Sequence, residues 1–260
     1  MLARRAALGV RRAVAARALS TASADELFRG VRSTRWADAP QFVRELGTDF
    51  PVLRQMSPAG VLHDGVALPF SLAEAERMYR LMVQCHECDA FFEKVHRQGR
   101  ITFYVTNFNE EAASLCSGAA LQPQDLCWTQ YRELGLFLWR GSTLDEIVDQ
   151  NIGNEDDRGK GRNLQVHYSL LEKNVQCVHA VLGTHIPQAP GAGYAFQQEG
   201  ADRISVAYFG DGAASEGDAL AALNFAAVYG SQTLFICRNN AYWCASLLLW
   251  LSLHWLMLTS

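Results

Sequence analysis

The sequence has no excess of positive charge. Its 23 Lys and Arg stand against 27 Asp and Glu, for a net charge of −4. A basic nucleic-acid surface as the main business of the chain is thereby excluded. Charge of either sign is sparse: charged residues make up 19%, below the usual share of about 25%. Cysteine follows no regular spacing, and its count of seven is odd, which argues against a secreted disulfide framework. No internal repeat is present. Seven Pro and 20 Gly in 260 residues are ordinary amounts and rule out collagen-like and low-complexity classes. What the chain does have is 49% apolar residues, ample for a core, in a length that suits one to two domains.

The two ends differ from that average. Before Asp25 there is no acidic residue, while Arg4, Arg5, Arg11, Arg12 and Arg17 alternate with Leu2, Leu8 and Val10. Ser20, Thr21 and Ser23 follow. An Arg-rich, Ser-containing, acid-free start is expected to be an organelle transit peptide over residues 1–24, addressed to the mitochondrial matrix. At the other end, residues 242–258 carry only Ser246, Ser252 and His254 as polar side chains. That is the lower edge of a spanning length, without flanking Lys or Arg. A tail anchor, a packed segment and non-homologous sequence after a truncation all remain open for this tail.

Between the ends, residues 25–70 read as an extended N-terminal arm broken by Pro40, Pro51, Pro58 and Pro69. Ser71-Leu72-Ala73-Glu74 is a capping box that opens a long amphipathic helix, expected to stop near Gln98-Gly99. That helix contains Cys85-His86-Glu87-Cys88. A structural zinc site needs four ligands; no second pair follows, so the cysteines read as core packing. Residues 110–120 predict a small-residue helix, residues 154–163 a charged, Gly-containing loop, and residues from Pro187 an Ala/Gly-rich helix.

The chemistry lies further on. Ile204–Phe209 is an apolar run suited to a buried parallel strand. It ends at Gly210-Asp211-Gly212, and an Ala-rich helical stretch follows. Thr233–Cys237 is a second apolar strand, ending at Arg238-Asn239-Asn240. This is a βαβ unit with polar residues at the carboxyl ends of both strands, the edge where open α/β sheets bind ligands. Glycines at 210 and 212 permit a sharp turn and close approach of a phosphate. The following helix offers N–H groups to an anion. Asp211 and Asn240 each supply a hard oxygen, which with phosphate oxygens suits Mg²⁺. The unit reads as a Mg-diphosphate site.

Together these elements resemble the thiamine diphosphate motif of thiamine-dependent enzymes. The likeness extends to Arg97-Gln98-Gly99-Arg100, Phe103-Tyr104-Val105-Thr106-Asn107, Gln130-Tyr131-Arg132-Glu133, Gly159-Lys160-Gly161-Arg162, Val166-His167-Tyr168, Ile186-Pro187-Gln188-Ala189 and Cys237-Arg238-Asn239-Asn240. These runs resemble the alpha subunits of branched-chain 2-oxoacid dehydrogenase, from about Phe50 to Asn240. The resemblance implies an α/β thiamine diphosphate-binding fold, mostly parallel, with helices on both faces. It implies that Tyr131, Arg132 and Arg238 contact the cofactor's diphosphate, that Gly212 and Ala213 offer backbone N–H groups, and that the Leu182 carbonyl reaches the aminopyrimidine. It places Mg²⁺ on Asp211, Asn240 and the backbone oxygen of Tyr242. Oxidative decarboxylation of branched-chain 2-oxoacids is implied, with acyl transfer to a lipoyl group on an acyltransferase core. A beta subunit is the implied partner, in an alpha2-beta2 assembly, and supplies the activating glutamate.

The sequence departs from the family in three places. Its monovalent-cation loop has His179, Val181 and His185 where Ser, Pro and Gln are expected, with only Thr184 kept, and Ala180 replaces a Ser. Imidazole suits potassium poorly, so that ion is not expected. Asn109 and Ala241 stand where the family has Gly. The family's catalytic His has no counterpart here. The expectation is an incomplete cofactor-binding domain over residues 71–241 with an apolar tail over 242–260. An inactive paralogue and a membrane-anchored interaction protein are the competing readings.

Overall fold

A computed structural model describes Ser33–Ala37, Asp49–Leu53, residues 55–56 and residues 60–240. The expected transit peptide, the apolar tail and Tyr242 lie outside the described residues. The described residues fall into two units, divided between Leu68 and Pro69.

In the first unit, β1 (Ser33–Ala37) and β2 (Asp49–Leu53) pair in parallel, Ser33 opposite Asp49 and Ala37 opposite Leu53. The stretch read as an irregular arm therefore contains a small parallel sheet. Pro51 sits inside β2, where proline is tolerated because an edge strand need not donate every N–H.

The second unit opens with α1 (Leu72–Arg97). Its capping box is formed: Ser71 Oγ accepts from the Glu74 N–H at 3.2 Å, and Glu74 Oε2 accepts from the Ser71 N–H at 2.8 Å. The helix stops at Gln98, ahead of Gly99 with its positive φ. Cys85 is buried and Cys88 half-buried. Burial pushes the Cys88 thiol up to about 11, so both act as packing groups. Among the described residues no cluster of three or more His, Cys, Asp or Glu is arranged to hold a metal.

Then come α2 (Glu111–Ala119), β3 (Leu126–Trp128), α3 (Leu134–Trp139) and α4 (Leu144–Ile152). After a loop and the 3₁₀ turn Leu171–Lys173 follow α5 (Gln188–Glu199), β4 (Ser205–Gly210), the single turn α6 (Asp211–Ala214), α7 (Gly217–Tyr229) and β5 (Thr233–Arg238). The three strands form a parallel sheet in the order β3-β4-β5.

The central strand explains the layering. Val206 and Tyr208 face a core that includes Phe92, Leu134, Phe137 and Ile147, from α1, α3 and α4. Ala207 and Phe209 face a second core with Ile186, Ala189, Ala219 and Ala222, the last two on α7. Alternate residues thus point to opposite, equally buried faces, and the strand reads as a continuous apolar run. The second face is lined by small residues because the helices approach closely. At Gly193 an added Cβ would lie 2.4 Å from Thr233 Oγ1 and 2.7 Å from the Gln232 carbonyl. No described helix is long and apolar enough to cross a membrane.

Candidate active site

Parallel pairing brings the carboxyl ends of the strands to one edge. Gly210 at the end of β4 lies opposite Arg238 at the end of β5. On the other flank of β4, Trp128 pairs with Ala207 and the chain runs out through Thr129 into Gln130-Tyr131-Arg132. These three exits enclose a cleft of about 440 Å³, open to solvent, lined by Gln130, Tyr131, Arg132, Leu182, Gly210, Asp211, Gly212, Ala213, Arg238 and Asn240. Eight residues singled out from sequence meet here: Tyr131, Arg132, Leu182, Asp211, Gly212, Ala213, Arg238 and Asn240. Thr184 does not line the cleft and is half-buried.

Two guanidinium groups are held in place by the loops. The Nη1 of Arg132 donates to the Thr106 carbonyl at 2.6 Å, and its guanidinium lies 5.5 Å from the Tyr131 ring centre. Thr106 belongs to a segment fixed by buried Asp89, which accepts from the Tyr104 hydroxyl at 2.8 Å and from the Asn107 backbone N–H. Phe103 packs edge-on against Tyr131 with ring centres 6.3 Å apart. The cation over the ring and the carbonyl behind it orient Arg132 toward the cleft.

Arg238 is braced on three sides. Its Nη1 donates to the Arg132 carbonyl at 2.8 Å. Its Nε lies 2.8 Å from Glu110 Oε2, and its Nη2 lies 3.1 Å from Glu133 Oε1. The two carboxylate contacts are ionic rather than aligned hydrogen bonds. Glu133 is fully buried, and its other oxygen accepts from the Gln130 N–H at 2.8 Å. Burial pushes the Glu133 carboxyl up to about 7, with Arg238 pulling the other way. Guanidinium has five N–H groups, so each terminal nitrogen of Arg238 keeps a second hydrogen for a ligand.

The opposite wall is backbone. Gly210 adopts extended φ/ψ of −90° and 167°, after which Asp211–Ala214 coil into α6. The first N–H groups of a helix lack intrahelical acceptors, and here they border the cleft beside the guanidinium groups. Asp211 and Asn240 contribute a carboxylate and an amide to the same space. An anion with several oxygens and a hard cation suit this donor set.

Glu110 and Glu133 were not singled out from sequence. A signal exists for Glu133: a carboxylate directly before the apolar run Leu134–Trp139, in a chain whose second strand exits through an arginine. Glu110 carries no local signal, since its neighbour Glu111 looks alike and instead meets His86 at 3.0 Å.

In the loop before α5, His185 is buried and its Nε2 donates to the Tyr208 carbonyl at 2.6 Å. Burial holds its pKa below the usual histidine value, so the ring is neutral near pH 7. Asn109 has φ of 68°, a left-handed conformation that glycine adopts more freely than any other residue.

A family model described as dehydrogenase E1 component matches residues 79–246. The chain is 46% identical over 194 residues to the 2-oxoisovalerate dehydrogenase subunit alpha, mitochondrial, of Caenorhabditis elegans, covering 74% of this chain and 45% of that protein. It is 43% identical over 201 residues to the protein of the same name from Dictyostelium discoideum, covering 77% and 46%. For the Homo sapiens protein the identity is 39% over 212 residues, covering 81% and 48%. The chain spans about half the length of these curated relatives.

Proposed function

This chain belongs to the dehydrogenase E1 component family, and on that premise we propose that it is an alpha-type subunit of a branched-chain 2-oxoacid dehydrogenase that binds thiamine diphosphate with Mg²⁺. One observation carries the reading: the carboxyl ends of three parallel strands bring two guanidinium groups, a first helical turn, a carboxylate and an amide to one cleft.

The donor set fits the cofactor. Arg132 and Arg238 offer N–H groups to diphosphate oxygens, Gly212 and Ala213 offer backbone N–H groups, and Leu182 lies at the rim for the aminopyrimidine. Asp211 and Asn240 give Mg²⁺ two oxygens, with the Tyr242 carbonyl proposed as a third and phosphate oxygens completing an octahedron. When bound, thiamine diphosphate supplies the thiazolium chemistry that decarboxylation of a 2-oxoacid requires. The contribution of this chain is to hold the anionic end: Glu133 lies behind Arg238 and keeps it facing the cleft.

The substrate class follows the relatives' printed name, 2-oxoisovalerate dehydrogenase. Acyl transfer to a lipoyl-bearing acyltransferase core, an alpha2-beta2 assembly with a beta subunit, and a place in the mitochondrial matrix belong to the same proposal. So do a transit peptide at residues 1–24, an arm at 25–70, a cofactor-binding domain at 71–241 and a separate apolar tail at 242–260. Potassium is not proposed at Thr184, because neutral His185 and its neighbour His179 replace the oxygen donors.

Calorimetric titration of the chain, alone and assembled with a beta subunit, with Mg²⁺ and thiamine diphosphate tests the cofactor assignment. Saturable binding is expected, weakened at least tenfold by R132A; absence of binding would reject the assignment. Turnover of 3-methyl-2-oxobutanoate by the chain with a beta subunit, above that of the beta subunit alone, tests the substrate.

A further inference from the structure

We infer that Glu110 is a positioning residue for this cleft, setting the amide of Asn240 and the guanidinium of Arg238 at once. The inference rests on the proposed cofactor reading and concerns a residue that the donor set above does not include. Glu110 Oε1 accepts from Asn240 Nδ2 at 3.1 Å, and Glu110 Oε2 lies 2.8 Å from Arg238 Nε. Its side chain is 18% exposed. One carboxylate thus meets Arg238, the last residue of β5, and Asn240 two residues beyond it, 130 positions away in sequence.

The chemistry is directional. An ionised carboxylate only accepts hydrogen bonds. Asn240 must therefore give it the amide nitrogen, and a planar amide then carries its oxygen on the other edge. A hard cation needs that oxygen, and an amide turned the other way would offer it N–H hydrogens instead. Glu110 selects the useful orientation. Its ionic contact lies on the Nε side of Arg238, which leaves the terminal nitrogens, the ones that suit phosphate oxygens, toward the cleft.

The backbone is arranged to deliver this carboxylate. Glu110 stands at the N-cap position of α2 yet makes no capping bond with its side chain. The preceding Asn109 has φ of 68°, and the Glu110 N–H donates to the Asn107 carbonyl at 2.8 Å. Asn107 is in turn held by buried Asp89. A left-handed turn on a fixed base aims Glu110 across to the end of β5.

Charge makes the inference testable. A carboxylate in a cleft for an anion repels that anion, so a bystander Glu110 would weaken diphosphate binding. Toward Mg²⁺ the same charge is attractive, so losing the charge of a bystander Glu110 would weaken cation binding equally whether residue 240 is Asn or Asp. A positioning Glu110 acts through the Asn240 amide and loses its effect once that amide is replaced. With saturating thiamine diphosphate, Mg²⁺ titrated into E110Q should show a dissociation constant raised about tenfold, the unfolding midpoint staying within a few degrees. In an N240D background, where either oxygen of residue 240 serves the cation, E110Q should lose that effect. E110D, which withdraws the carboxylate by one methylene, is read in the same way if E110Q does not fold. Equal or tighter Mg²⁺ binding by E110Q or E110D would overturn the inference while leaving the cofactor reading intact. An undiminished E110Q effect in the N240D background would also overturn it. Failure of the unsubstituted chain to bind Mg²⁺ and thiamine diphosphate would overturn both.

Discussion

Glu133 is a fully buried carboxyl behind the cleft. Its folded pKa, about 7, lies above the unfolded value. The protonated form is thus favoured by folding, and the stability it contributes is complete below the unfolded pKa and lost as pH rises through 7. The span corresponds to something on the order of 3 kcal/mol. E133Q is neutral at every pH and lacks this dependence. The stability of the unsubstituted chain relative to E133Q should therefore fall between pH 5 and pH 8, measured by urea midpoints. A difference independent of pH would reject the account.

Asn109 offers a second residue-scale test. Its φ of 68° costs an alanine about 1 kcal/mol or more, while glycine adopts it freely. N109A should lower the unfolding midpoint and N109G should hold or raise it. The sequence disclosed Asp211, Arg238 and Asn240 because they punctuate the ends of apolar runs. It did not disclose Glu110 or Glu133, whose roles arise only when loops a hundred residues away fold against Arg238.

Elements were legible where a cap or a clean apolar run marks them. Ser71 and Glu74 announced α1, and β4 and β5 follow their apolar runs closely. The same capping signature at Thr143–Glu146 marks α4; there the Thr143 hydroxyl accepts from the Glu146 N–H at 3.2 Å. T143A should cost about 1 kcal/mol, read by chemical denaturation. The three-residue β3 could not be seen in sequence, since it is a strand only because Ile204 and Ser205 lie beside it. The β1–β2 pair was hidden by its proline. Packing between elements also explains a glycine. G193A would drive a methyl group into Thr233 and the Gln232 carbonyl, and the overpacking should destabilise by about 2 kcal/mol. An unchanged denaturation midpoint for G193A would contradict the close approach of α5 to β5.

At the scale of the whole molecule, the two described units differ in how far they can be read. The second was legible as a parallel α/β layer with both faces covered, because β4 is apolar on both sides. The first, a proline-interrupted pair of short strands, carries no such pattern. The cleft itself is a product of strand order rather than of any one segment: β4 at the centre brings β3 and β5 to its two flanks.

That order has a temporal consequence. Leu126 pairs with Ser205, whereas Ser205 pairs with Thr233 on its other side. The β4–β5 contact closes a short loop and the β3–β4 contact a much longer one, so the βαβ unit should gain hydrogen-exchange protection first during refolding. During synthesis, Tyr131 and Arg132 emerge about 80 residues before Asp211, an interval of roughly 4–16 seconds at ordinary elongation rates. Throughout it one wall of the cleft waits, its arginine exposed, for a strand that has not yet been made.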